Sequence, residues 1–159
     1  MKSTLLKTTL LALSLGLCAP AMAEERDGYV SYTIEADFED VYFDLQDAII
    51  TQGLVVDHIG NVDDMLARTS DTVGGSSPYL HAKYLQFCSA TLTHEAVQAD
   101  PNNLAVCPYV VFAYETSSNP GTVVTGYRIP TLGSSPETVA VFAKVRALMD
   151  SIVQEAVGE

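Results

Sequence analysis

Phe87-Cys88-Ser89-Ala90 and, nineteen residues after its cysteine, Cys107-Pro108-Tyr109 are the two short stretches on which the fold turns. Each joins a β-forming run to one cysteine. Tyr79 to Cys88 reads as a strand, with only partial two-residue alternation, so one end is expected to be irregular. Val106 to Glu115 is the most hydrophobic strand in the chain, and Pro108 is tolerable only near its start. Between them, Ser89 or Thr91 caps a short helix running to about Ala99, and Pro101-Asn102-Asn103 ends it. How the two strands pair decides whether the cysteines meet.

Upstream, Tyr29 to Ile34 alternates and is rich in β-formers, so it reads as the first strand. Asp37 caps a helix whose Phe38, Val41, Tyr42, Leu45, Ala48 and Ile49 fall on one stripe, and Gly53 ends it. Leu54 to Ile59 is the second strand. Asn61 caps a short helix over 62–73 with Met65 and Leu66 on its buried side, and Gly74 to Pro78 is a loop. Downstream, Asn119-Pro120-Gly121 turns into a fifth strand, Thr122 to Ile129, antiparallel to the fourth. Ser135-Pro136 then opens a final helix over 137–156, with Val141, Phe142, Val145, Met149, Ile152 and Val153 on its apolar side. The expectation is one α+β domain over 24–159. It has a five-stranded antiparallel sheet with two long helices on one face, and short helices between strands two and three and strands three and four.

Residues 1–23 are set apart as a signal peptide. Lys2 and Lys7 give a positive start, and Leu10 to Leu17 is an apolar run too short to span a bilayer. Ala21-Met22-Ala23 is a small-x-small cleavage pattern before Glu24. Cys18 would mark a lipid anchor only after a small residue, and Leu17 is too bulky. The expected location is therefore periplasmic or secreted, with no membrane span. Removing the signal leaves six basic residues against 20 acidic ones, a net charge of −14. Such a domain repels phosphate backbones and anionic lipid, which argues against nucleic-acid binding.

Several short motifs in this order are shared with one family. The strand–helix–four strands–helix plan carries Phe38-Glu39-Asp40-Val41 and Gly53-Leu54 at its start. Phe87-Cys88-Ser89-Ala90, Ala99-Asp100-Pro101, Cys107-Pro108-Tyr109-Val110-Val111 and Gly126-Tyr127-Arg128 follow. Over roughly residues 29–130 the chain resembles the domain of unknown function 302 family. The resemblance implies a fold similar to the TATA-binding-protein-like class, an antiparallel sheet backed by two helices, and brings no function with it.

The fold decides the cysteine chemistry. Flanking a right-handed crossover, Cys88 and Cys107 would lie ~20 Å apart at opposite ends of the sheet. As antiparallel neighbours, the end of one strand meets the start of the other, and the thiols face each other. The connection is short for a crossover, and the resemblance favours the antiparallel pairing. An exported chain with two mature cysteines then most simply forms one Cys88–Cys107 disulfide. Two alternatives stay open. Cys88 directly precedes a helix N-terminus, which favours a thiolate suited to redox or sulfur handling. Alternatively, Cys88 and Cys107 join His58, Met65 and His94 as soft ligands for a metal or haem, although no recognised ligand spacing is present.

Arg128 is the remaining residue of interest, as an anion anchor or the partner of one of the many acids. Gly74-Gly75-Ser76-Ser77 lacks the lysine of a phosphate loop, and no nucleophile elbow is present, so no catalytic residue is assigned. The leading expectation is a non-enzymatic exported module. It binds a small molecule, a protein partner or a second copy of itself as a homodimer, through the sheet face that the helices leave open.

Overall fold

The computed structural model describes residues 21–131 and 133–158. The cysteine at position 18 and nearly all of the expected signal peptide lie outside the described residues. Six strands form one wholly antiparallel sheet: β1 (Met22–Arg26), β2 (Tyr29–Glu35), β3 (Val56–Asn61), β4 (Tyr79–Phe87), β5 (Tyr109–Thr116) and β6 (Thr122–Arg128). Their order across the sheet is β1-β2-β6-β5-β4-β3.

Two long helices, α1 (Phe38–Thr51) and α4 (Pro136–Ala156), cover one face. The shorter α2 (Val62–Val73) and α3 (Ala90–Ala99) sit in the β3–β4 and β4–β5 connections.

The sheet thus has six strands where the sequence predicts five. The additional strand, β1, lies in the stretch Met-Ala-Glu-Glu-Arg, whose polar composition hides it. It is an edge strand, and Arg26-Asp27-Gly28-Tyr29 supplies the tight turn, with Gly28 at φ 94°. β5 begins at Tyr109 and not at Val106, because Pro101–Val106 winds into a 3₁₀ segment first. The irregularity expected in the strand before Cys88 falls at its start, as a register shift between Tyr79 and His81.

The long helices form for the reasons their sequences give. The Asp37 side chain accepts from the Glu39 N–H at 2.9 Å, and the Ser135 hydroxyl accepts from the Thr138 N–H at 3.1 Å ahead of Pro136. Gly53 takes φ 74° just beyond α1, where a side chain would be strained. The apolar stripes of α1 and α4 meet Leu85, Phe87, Val111, Ala113, Val123 and Tyr127 from the sheet, and this layer is the core.

α2 departs from expectation. Its Asn61 makes no side-chain cap bond, none of its residues is buried, and Met65 is 43% exposed. The helix closes a connection at the sheet edge and contributes little to the core.

Among the described residues, no helix is long and apolar enough to cross a membrane.

α1 gives a matched test of the core. Leu45 is fully buried, whereas Phe43 on the same helix is exposed. Leu45→Ala is expected to lower unfolding stability by about 2–5 kcal/mol. Phe43→Ala should stay within about 0.5 kcal/mol of the unaltered protein. Denaturant titrations of both variants check the pair.

Candidate functional site

The antiparallel pairing of β4 with β5 runs to Phe87 opposite Tyr109. Cys88 and Cys107 lie just beyond this last pair, where the two backbones remain close. They form a disulfide with a Cα–Cα separation of 6.1 Å, inside the normal range. Both cysteines are half-buried. The bond ties the start of α3 to the segment before β5. Ser89 caps α3 by accepting from the Leu92 N–H at 3.4 Å, and the Cys107–Pro108 peptide is cis.

The strand pleat assigns the two faces of the sheet. Leu85, Phe87, Val111, Ala113 and Tyr127 point to the helices, so their neighbours Tyr84, Val110, Phe112, Gly126 and Arg128 point to the uncovered side. There, Tyr29, Phe112, Tyr114 and Tyr79 form a continuous row of rings. Centroids are 6.1 Å apart for Tyr29 and Phe112, 6.3 Å for Phe112 and Tyr114, and 5.4 Å for Tyr114 and Tyr79.

Two strand glycines give these aromatics room. Gly126 pairs with Phe112, and an added Cβ would collide with the Val30 carbonyl and the Phe112 ring. Gly60 pairs with Tyr84, whose ring occupies the space of a Cβ there. A glycine beside an aromatic on the next strand lets the ring lie across the sheet.

The result is a groove of about 740 Å³, floored by Tyr29, Tyr79, Tyr84, Phe112 and Tyr114 and flanked by Val62 of α2. Burial, with Tyr79 and Tyr29 nearby, raises the Tyr114 hydroxyl above its ordinary value. It is therefore a neutral hydrogen-bonding group at neutral pH.

Arg128 and Asp27 stand at one end of this groove. Arg128 faces Tyr29 across β2 and is exposed. A second cavity of about 290 Å³ begins at the same place. It shares Val110, Arg128, Ile129 and Thr131 with the groove and reaches Cys107 and Pro108. Arg128 and the disulfide end, singled out separately in the sequence, are thus brought into one region.

The other residues singled out are spread over separate elements. His58 lies exposed on β3, its ring 6.0 Å from that of Tyr84. Met65 and His94 are exposed on α2 and α3. Among the described residues, no three His, Cys, Asp or Glu side chains group to hold a metal ion.

Opposite the groove, on the helix face, Asp150 accepts from the Tyr32 hydroxyl at 2.8 Å and the Tyr127 hydroxyl at 3.1 Å. Burial and the Asp150 charge push Tyr127 up to about 12. This network holds α4 to the sheet.

The sequence reading missed the aromatic row. Val106 to Glu115 reads there only as the most hydrophobic strand, with its two faces not separated. The available signal was Phe112 and Tyr114 two residues apart, with Gly126 inside the neighbouring strand.

The family model for the domain of unknown function DUF302 matches residues 30–156, four-fifths of the chain and both long helices. The chain belongs to the DUF302 family. The crystal structure of an uncharacterized conserved DUF302 protein from Bacillus stearothermophilus superposes with a TM-score of 0.69 at 13% identity. It covers 80% of this chain and 97% of that one. At that identity the likeness shows the fold alone. No curated protein matches the chain.

The disulfide closes a loop of 19 residues, worth about 3 kcal/mol in the chain-entropy account. Replacing both Cys88 and Cys107 by Ala is expected to cost about that much. Reductant should destabilise the unaltered protein to the same extent and leave the double variant unchanged, as read by urea titration.

Proposed function

We propose that this DUF302 domain is an exported, non-enzymatic binding module that holds a small ligand in the groove on the uncovered face of its sheet. The observation that carries the reading is the aromatic floor itself. Five rings share a concave surface, the Tyr84 ring lies in the space a Cβ at Gly60 would take, and neither α1 nor α4 covers them. Apolar concave sites with a few polar groups at one end are the usual form of small-molecule sites. Self-association through the same face is less favoured, because two copies of a strongly acidic chain repel each other.

Export is supported by the positive start, the short apolar run and the Ala21-Met22-Ala23 pattern. A disulfide suits an oxidising compartment such as the periplasm or the extracellular space. Cleavage after Ala23 would keep three pairs of β1 with β2: Glu24 with Ser31, Glu25 with Val30 and Arg26 with Tyr29. The hairpin would survive as a shortened edge.

The groove is tested with N-phenyl-1-naphthylamine, a neutral dye that brightens in apolar sites. The unaltered protein should bind it, and the double variant Tyr79→Ala, Tyr114→Ala should bind it about tenfold more weakly, roughly 1.4 kcal/mol. Equal binding by the two proteins would remove the groove from consideration.

Export is tested separately by the intact mass of the protein from an expressing bacterium. A chain starting at Glu24 is expected. A chain retaining residues 1–23 would refute export, and a lipid on Cys18 would refute cleavage after Ala23.

A further inference from the structure

The charges around the groove carry the reading one step further. The domain is strongly acidic, and almost every cation in the described residues is already engaged. Arg26 pairs with Glu24 at 2.8 Å, Lys83 with Glu39 at 3.0 Å and Lys144 with Glu95 at 2.6 Å. Arg146 pairs with Glu25, and Arg68 donates to the Asp64 carbonyl at 3.2 Å. Among the described residues, the Arg128 guanidinium alone has neither an ion pair nor a hydrogen bond. Asp27 lines the same end of the groove, yet no ion pair joins it to Arg128. A chain with 20 carboxylates that leaves one arginine unmatched, at the end of its aromatic groove, leaves a place for an anion from outside.

We infer that the groove takes an amphipathic anion, a flat apolar body lying on the rings with one acidic group on Arg128. The inference rests on the groove reading above and adds the chemical class of the ligand. The rings supply contact area in which one flat molecule is as good as another. The guanidinium supplies the selection, because its planar fork matches a carboxylate or sulfonate in two parallel hydrogen bonds. Neutral and cationic analogues of the same shape lack that anchor, and the surrounding acids attract cations only weakly through screened solvent. Asp27 opposes the anion at short range and sets an upper bound on its affinity. The cavity beyond Arg128, running to Cys107 and Pro108, leaves space for a substituent past the acidic group.

Two dyes of nearly the same shape test this. 8-Anilino-1-naphthalenesulfonate carries one sulfonate, and N-phenyl-1-naphthylamine lacks it. Binding of both to the full mature chain is measured by fluorescence titration at low and moderate salt. The unaltered protein should bind the sulfonate about tenfold more tightly than the neutral dye, and added salt should narrow the gap. Arg128→Ala should abolish the preference and leave the neutral dye unaffected. Asp27→Asn should tighten the sulfonate alone, a gain that a damaged fold would not give. Equal affinities for the two dyes, or a preference that survives Arg128→Ala, would overturn the anion assignment while the groove stands. Failure of both dyes to bind, or binding insensitive to the Tyr79 and Tyr114 substitutions, would overturn the groove reading and the anion assignment with it.

Discussion

The register between β4 and β5 is the constraint on which the rest of the structure depends. Side chains alternate along a strand, so sliding one strand by a residue would send every side chain to the opposite face. With Phe87 opposite Tyr109 and Leu85 opposite Val111, the large aliphatic groups meet α1 and α4, and Tyr84 and Phe112 are turned away. The same register ends the ladder at the residues flanked by Cys88 and Cys107. Their disulfide is thus a consequence of correct pairing and also a lock on it. A slipped sheet would place the cysteines out of reach and bury the tyrosine hydroxyls among apolar side chains without partners.

The uncovered face is built from the opposite preference. A sheet face in water is usually lined with polar residues, and this one carries Tyr29, Tyr79, Tyr84, Phe112 and Tyr114. Exposed aromatic area of this kind costs solubility, and strand glycines such as Gly60 and Gly126 cost backbone order. Neither feature helps the core, which lies wholly on the helix side. Their concentration at one place supports the binding role proposed for this face. The rings already touch one another, edge-on between Tyr29 and Phe112 and stacked between Phe112 and Tyr114, which would lower the cost of ordering them under a ligand.

Much of this was legible in the sequence, for physical reasons that differ from element to element. α1 and α4 announce themselves through caps and wide apolar stripes, because most of their stability comes from the packing those stripes encode. The cysteine pair was legible once antiparallel pairing was chosen, since the length of the connection limits the alternatives. β1 was hidden, because an edge strand exposed to water needs no apolar pattern, and only Asp27-Gly28 marked its turn. The inward placement of Met65 failed because α2 only partly buries its inner side, with Val62, Leu66 and Thr69 half-buried and Met65 turned to solvent. The aromatic groove was out of reach for another reason. Its rings come from β2, β4 and β5 and from both sides of a register shift, so no single window of sequence contains it.

The anion role proposed for Arg128 is compatible with the acidity that argues against nucleic-acid binding. At moderate salt the field of the domain falls off within about 8 Å. A small anion approaching the groove therefore meets mainly local charges, Arg128 and Asp27 at its end and the Arg26–Glu24 pair near Tyr114. The distant carboxylates act chiefly on large partners whose own charges extend over many such lengths. One acidic surface can thus turn away polyanions, and second copies of itself, without turning away a single small anion. An unmatched arginine in a neutral protein would attract anions of every size. In the proposed reading, the surrounding charge of this chain would restrict it to ligands small enough to sit inside the groove with it.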